Sequence, residues 1–253
     1  MWKRLAAPTI YNPRMLGLLT AASMAAMAAA GYNTMAPRSQ LFGRTFIGAG
    51  GGSRQLALTF DDGPNDPWTQ RLLDVLERHQ VQATFFLIGR YVAQRPEIAR
   101  QIAQAGHAIG NHTWDHPNLI FTRPREVESQ IKRCAEALEE AVGPHSRLFR
   151  PPYGGRTPQA LGAVRRCGLL PVMWSVSGWD WEAESAAAIE EKVMGSVEGG
   201  DVILLHDGGH RGLGTDRSFT VSAVERLIRR CGEQGFEFVT VPEMMEVRTK
   251  NDE

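Results

Sequence analysis

The sequence predicts an α/β fold, a distorted (β/α) barrel of about seven repeats with its active site at the C-terminal rim of the strands. Two observations indicate this. Short apolar runs alternate with longer helical patterns from residue 54 onward, and polar side chains recur just past the ends of those runs. Strands alternating with helices of ten or more residues imply right-handed crossovers and a mainly parallel sheet. An open doubly wound sheet is the alternative, but no G-x-G-x-x-G follows the first strand.

The predicted strands are short runs of apolar and β-branched residues. They span residues 55–60, 83–88, 107–112, 147–152, 169–176, 201–207 and 236–241. The predicted helices between them carry apolar residues on one face. They span residues 67–79, 96–105, 125–142, 157–167, 185–197 and 219–234.

The first 30 residues have the composition of an export signal. Lys3, Arg4 and Arg14 precede an uncharged stretch, residues 15–30, which ends in three alanines. This stretch of 16 residues is shorter than the roughly 20 that span a bilayer. We therefore expect residues 1–30 to be a signal peptide or a signal anchor, and the protein to be periplasmic, cell-envelope bound or secreted. The alternatives are a membrane anchor formed by residues 15–30 and an alanine-rich soluble helix.

The rest of the chain is predicted to be one domain behind a linker. Residues 31–53 are rich in Gly, contain Pro37 and predict a flexible linker, and residues 54–247 are expected to form the domain. The 28 basic residues balance 28 acidic ones without a basic stripe, so nucleic acid is not an expected partner. The sequence does not define the oligomeric state, for which a monomer is favoured. The three cysteines are expected to be free and packed as small apolar residues, or to form one disulfide and one free thiol. They are Cys134, Cys167 and Cys231.

Two histidines and two adjacent aspartates predict a metal site. His112 and His116 are four residues apart, a spacing that in a helix puts both imidazoles on one face. Such a pair also arises by chance, but a carboxylate from Asp61-Asp62 would complete three protein ligands and leave a position open for water. The other carboxylate could take a proton from that water. Asp115, between the histidines, is expected to face solvent.

Further polar residues follow other predicted strands and suggest catalytic roles. His206 is a candidate general acid, and Asp180 could hold it in one tautomer. Arg150 could orient a carboxylate base. Pro151 belongs to a rigid turn that could present the backbone amide of Tyr153 to an oxyanion.

The remaining candidates are aromatic or lie in a loop. Trp179 and Trp181 could line a sugar pocket or belong to the core, and His210 is expected in a flexible loop. The chain has no G-x-S-x-G elbow, no Walker A loop and no Cys/His pair in a catalytic setting. These absences disfavour serine hydrolase, nucleotide-dependent and thiol chemistry.

Five motifs together resemble the polysaccharide deacetylase family, the NodB-homology domain of carbohydrate esterase family 4. They are TFDDGP, HTWDH, RPPYG, DW and LLH, in that order, and the resemblance covers about residues 54–245. It implies a NodB-type barrel that hydrolyses the acetamido group of N-acetylglucosamine units in chitin, chitooligosaccharide or peptidoglycan. The implied cofactor is one divalent metal ion, Zn²⁺ or another such as Co²⁺.

The resemblance also implies a role for each matching residue. It makes Asp61 the base, Arg150 the residue that orients it, Tyr153 an oxyanion donor, Asp180 the partner of His206, and His206 the acid. The implied metal ligands are Asp62, His112 and His116. Ser177 departs from the family pattern, in which many members have aspartate. The alternatives are O-deacetylation of a xylan-like polysaccharide and a non-catalytic carbohydrate-binding barrel.

Overall fold

The computed structural model describes residues 13–251, so Lys3 and Arg4 of the predicted signal lie outside it. The helices are α1 (Pro13–Met35), α2 (Trp68–Arg78), α3 (Gly89–Gln94), α4 (Pro96–Gln104), α5 (Pro124–Val142), α6 (Pro158–Arg166), α7 (Ala186–Met194), α8 (Ser218–Glu233) and α9 (Val241–Asn251). The strands are β1 (Gln55–Gly63), β2 (Thr84–Leu87), β3 (Ala108–Asn111), β4 (Leu148–Phe149), β5 (Leu170–Pro171), β6 (Val176–Ser177), β7 (Val202–His206) and β8 (Glu237–Phe238).

The strands form a curled parallel sheet, which confirms the predicted distorted barrel. Their order is β5-β4-β3-β2-β1-β7-β6, and β8 pairs with the start of β1. Each pairing between these strands is parallel. The C-terminal ends of β1, β3, β4, β6 and β7 therefore open on one rim, where a barrel carries its active site.

The core explains why these strands are so uniformly apolar. Residues 56–63 of β1 are all buried, as expected of a parallel strand covered on both faces. The helices contribute one face each; in α2 this face consists of Leu72, Val75 and Leu76. The three cysteines are free thiols, the first of the two expected arrangements, and Cys134 and Cys231 are buried.

The predicted strand at residues 169–176 is wrong as a single element. The segment divides into β5 and β6, which lie at opposite ends of the strand order. Phe46 lies beside the connection, where its amide donates to Pro171 O and its carbonyl accepts from Met173 N. An apolar run alone does not show that a chain changes its pairing partner in mid-segment.

The predicted flexible linker also needs correction. Phe46 is buried and bridges to Val172, and Gly48 bridges to Asp201. The glycines of residues 31–53 indicated flexibility, but the apolar residues among them anchor the segment to the sheet. The domain boundaries themselves remain a prediction.

The helix α1 contains the uncharged stretch, residues 15–30, and its described side chains up to Ala30 are exposed. No helix within residues 13–251 has the length and hydropathy of a membrane span.

Candidate active site

A bulge at the end of β1 brings both adjacent carboxylates into one site. Neighbouring side chains on a regular strand point to opposite faces. Here the register with β2 shifts between Asp61 and Gly63, and Asp62 adopts the left-handed conformation with φ of 72°. The bulge re-aims the second carboxylate, as bulges beside active sites do. The strand thus continues three residues beyond its predicted end at Phe60.

His112 and His116 meet through a loop and not through a helix, so the expected helical geometry is wrong. The loop follows β3, and Thr113 and His116 have positive φ values of 68° and 64°. The Thr113 hydroxyl accepts from the His116 amide at 3.1 Å, which closes the turn. The intervening Asp115 is exposed, as predicted.

Asp62, His112 and His116 form a group that can hold a metal ion. All three are buried, and one ligand atom from each lies within 4.8 Å of the others. The Asp62 Oδ1 atom is 3.2 Å from His116 Nε2 and 3.5 Å from His112 Nε2, yet it is buried without a hydrogen-bond partner. His112 Nδ1 lies 2.8 Å from the backbone carbonyl of Arg150, a contact that directs Nε2 toward the site.

The ionisation states of Asp62 and His116 fit a cation. Burial opposes ionisation of Asp62, but His112, His210 and His116 outweigh it and hold the pKa of Asp62 well below its usual value. Burial lowers the pKa of His116 to about 3, so its imidazole is neutral at pH 7. A carboxylate and neutral imidazoles are the forms that bind a divalent metal. The predicted ligand set therefore fits the ion, whose identity the geometry leaves open.

Arg150 fixes Asp61 from behind. Its guanidinium is fully buried and donates to Asp61 Oδ1 at 2.8 Å, to Thr59 Oγ1 at 2.7 Å and to Met173 O at 3.0 Å. The second oxygen, Asp61 Oδ2, faces His112 Nε2 at 3.8 Å. One oxygen of the carboxylate is therefore held by a cation and the other faces the metal group.

Buried Asp180 and half-buried His206 form a second pair on the same rim. Asp180 Oδ1 lies 2.8 Å from His206 Nδ1, and Oδ2 accepts from the His206 amide and from the Thr220 hydroxyl, each at 2.8 Å. Burial lowers the pKa of His206, but the charge and hydrogen bond of Asp180 outweigh it and raise that pKa to about 9. The imidazole is thus protonated at neutral pH, with Nε2 available to the cleft.

The turn after β4 places an aromatic residue beside the metal group. Tyr153 has a φ of 58°, and the turn is closed by bonds from Gly154 N to Pro151 O and from Gly155 N to Pro152 O. The Tyr153 ring packs edge-on against His116, with 4.5 Å between centroids.

The two tryptophans lie beside His206. Trp181 packs edge-on against that imidazole with 5.2 Å between centroids, and the Trp179 ring lies tilted by 30° against Trp181, also at 5.2 Å. Both are exposed, so neither is a core residue. Ser177 accepts a hydrogen bond from the Trp179 amide at 3.3 Å, which is a local role in the same loop.

These elements surround a cavity of about 810 Å³. Asp61, Asp62, His112, His116, Tyr153, Trp181 and His206 line it. The described lining of the cavity lacks four of the predicted site residues, namely Arg150, Pro151, Trp179 and Asp180. Arg150 and Asp180 instead contact the lining residues from behind.

His210 belongs to the site, although the sequence placed it in a flexible loop. Its ring stacks on His116 with 4.7 Å between centroids, and its Nδ1 lies 3.8 Å from Asp62 Oδ2. Buried Asn65 fixes the loop by donating to Asp207 O and Thr215 O. The signal in the sequence was the position of His210 four residues after His206, in a chain with few other histidines near strand ends.

Several known proteins resemble this chain in sequence and in fold. A family model for polysaccharide deacetylase matches residues 49–172. Chitooligosaccharide deacetylase of Sinorhizobium fredii is 40% identical over 206 residues, which cover 79% of this chain and 96% of the relative. Peptidoglycan-N-acetylglucosamine deacetylase of Bacillus cereus is 39% identical over 194 residues, with 76% and 68% covered. The crystal structure of the Bc1960 peptidoglycan N-acetylglucosamine deacetylase superposes with a TM-score of 0.75 at 36% identity, covering 79% and 92%.

Proposed function

This chain belongs to the polysaccharide deacetylase family, and from that premise we propose that it removes N-linked acetyl groups from N-acetylglucosamine units of chitooligosaccharide, chitin or peptidoglycan. The relatives named for chitooligosaccharide and for peptidoglycan support the substrate class. Two side-chain pairs at the barrel rim, Arg150–Asp61 and Asp180–His206, support the chemistry. That chemistry is hydrolysis with a carboxylate base and an imidazole acid.

We propose that Asp61 is the general base. Arg150 holds Oδ1, so only Oδ2 is free to accept the proton of an attacking water. The guanidinium orients the carboxylate and stabilises its charge in a buried site. Asp62, one residue further along the bulge, has a different set of partners and is proposed as a metal ligand with His112 and His116.

A divalent ion held by these three residues, Zn²⁺ or another such as Co²⁺, would supply Lewis acidity, which lowers the pKa of water and polarises an acyl oxygen. The protein provides the remaining groups. We assign an oxyanion contact to the backbone amide of Tyr153, in the rigid turn after Pro151. His206, protonated and held by Asp180, donates its Nε2 proton to the leaving amine. Trp181, with Trp179 behind it, forms an apolar surface for the sugar ring.

The observation that carries the proposal is the division of labour between two adjacent aspartates. Arg150 contacts Asp61, whereas His112 and His116 lie against Asp62. A carbohydrate-binding barrel without catalysis has no need for this separation.

The experiment is a screen of acetate release by zinc-reconstituted protein on chitooligosaccharides, peptidoglycan and acetylxylan, with Asp61→Asn as the inactive control. We expect release from one of the two N-acetylated glycans and none from the control. Release from acetylxylan alone would replace this proposal with O-deacetylation. Equal release by wild type and Asp61→Asn would contradict the assigned base.

We also propose that the protein is exported, since basic residues precede the uncharged residues 15–30. Amino-terminal sequencing of protein recovered from a periplasmic or secreted fraction tests this. An N-terminus near Gly31 would indicate cleavage, whereas the complete chain in a membrane fraction would indicate an anchor. Recovery only from the cytoplasm would contradict export.

A further inference from the structure

The end of α1 reaches the active site. We call residues 34–39 the N-terminal strap. Its Met35 lines the cavity together with Tyr153, Gly154 and Trp174, and 45% of the methionine's surface is exposed. No motif pointed to this segment, which precedes the first strand by some 15 to 20 residues.

A buried arginine holds the strap in place. Arg156 is 1% exposed, and among the ion pairs of residues 13–251 none includes it. Its backbone amide donates to Thr34 O at 3.1 Å. Its guanidinium donates to carbonyl oxygens only: Gly154 (3.0 Å), Ala36, Pro37 (3.4 Å) and Ser39 (3.0 Å).

The burial of Arg156 requires the carbonyl groups of the strap. The last carbonyls of a helix lack partners within the helix, and the Arg156 amide supplies one for Thr34 O in the last turn of α1. The guanidinium binds carbonyls just beyond Met35, where the negative end of the helix dipole favours a cation. A buried cation also requires several acceptors to offset its desolvation. The strap supplies three of the four carbonyl oxygens that accept from the guanidinium, so the buried position of Arg156 depends on the strap being docked. Arg38 adds a second anchor, donating to Ser175 O at 3.2 Å.

The same guanidinium connects the strap to the catalytic turn. Gly154, whose carbonyl Arg156 binds, follows Tyr153 directly. A Cβ atom at Gly154 would lie 2.7 Å from the Trp174 ring, so the turn packs tightly against the cavity wall. Strap, turn and Trp174 therefore form one continuous wall.

We propose that the N-terminal strap is part of the glycan site, with Met35 as a specificity-determining residue and Arg156 as the positioning residue behind it. This rests on the proposed function. Met35 lies outside the groups that the chemistry needs, so it contacts a sugar residue adjacent to the one being deacetylated. Pyranose rings have apolar C–H faces, and a flexible thioether adapts to such surfaces. Signal cleavage near Gly31 would leave the strap intact.

The kinetic test compares Met35→Ala with Met27→Ala in the full chain. Met27 is an exposed methionine on the same helix and is absent from the described cavity lining, so it is a matched control. We expect Met35→Ala to raise KM for chitotetraose about three- to tenfold, as for a lost partly buried apolar contact. Its kcat should stay within twofold, and KM for the disaccharide should not change. Equal KM values for wild type and Met35→Ala on chitotetraose overturn the proposal.

A second measurement separates the strap from the proposed activity. Methionine-methyl NMR of Asp61→Asn protein, titrated with chitotetraose, should shift the Met35 resonance and leave Met27 in place. An unshifted Met35 resonance overturns the strap proposal whatever the kinetics, whereas a shift without acetate release in wild type defeats only the proposed function.

Arg156→Lys keeps the charge but cannot span four carbonyls. Arg156→Lys should speed hydrogen exchange at the strap amides, and it should raise KM for chitotetraose as Met35→Ala does. Unchanged exchange in Arg156→Lys would contradict the positioning role of Arg156.

Discussion

Replacing Arg150 with methionine tests the buried pair that holds the proposed base. The substitution removes the donations to Asp61, Thr59 and Met173 O, and leaves the Asp61 carboxylate, 4% exposed, without a countercharge. Removing one partner of a buried ion pair costs roughly 3–5 kcal/mol. For a domain of this size that lowers Tm by about 10 °C. We also expect turnover to fall at least about a hundredfold, the usual contribution of a positioned base.

The assay is urea denaturation of the metal-free protein, with a surface pair as control. Arg166 donates to Glu128 at 2.8 Å and its side chain is 58% exposed, so Arg166→Met should cost at most about 1 kcal/mol. In the double variant with Asp61→Asn, the unpaired charge disappears, and we expect the two losses to be non-additive by about 2 kcal/mol.

Zinc affinity supplies an internal check on Arg150→Met. His112 is held by the backbone carbonyl of Arg150, which the substitution retains, so the affinity should stay within a fewfold of wild type. A loss of stability no larger than that of Arg166→Met, together with additive double-mutant energies, would refute the inferred pairing of Arg150 with Asp61.

Three further predictions concern the groups around this pair. Asp180→Asn removes the charge that raises the pKa of His206 to about 9, so the alkaline limb of kcat/KM should move down by at least one pH unit; an unmoved limb would exclude His206 as the acid. Burial raises the pKa of Asp207 to about 7, so the folded protein keeps a proton that the unfolded chain loses, and stability should fall as pH rises from about 4 to 7. Asp207→Asn should flatten this dependence in metal-free Tm scans, and parallel curves would contradict it. His210→Ala should weaken zinc binding about tenfold in chelator competition, the lower end for outer-shell partners; unchanged affinity would show that its stacking on His116 is incidental.

The ends of the strands were the most predictable part of the molecule. Apolar runs marked β1, β3 and β7 because parallel strands are buried on both faces, and the polar residue after each run fell on the common rim. Asp61, His112 and His206 therefore could be assigned to one site without coordinates.

Backbone conformation at the site was not predictable in the same way. The left-handed φ of Asp62 creates the bulge, and that of His116 shapes a loop where a helix was expected. Local propensity disfavours such conformations, and only the surrounding packing supports them.

Contacts between segments distant in the sequence were equally unpredictable. Phe46 and Arg156 each join segments more than 100 residues apart, and neither lies in a recognisable pattern. His210 approaches His116 on a loop that Asn65, Tyr91 and Arg217 hold through its backbone carbonyls. Such contacts depend on the assembled sheet rather than on sequence spacing.

The central claim, that adjacent aspartates have separate tasks, is tested most directly by zinc titration and acetate release on Asp61→Asn and Asp62→Asn side by side. We expect Asp61→Asn to bind zinc with nearly wild-type affinity and to release no acetate. Asp62→Asn, which loses the carboxylate of the metal group, should lose both zinc and activity. If the two variants lose zinc to the same extent, or if Asp61→Asn still turns over, the proposed division is contradicted.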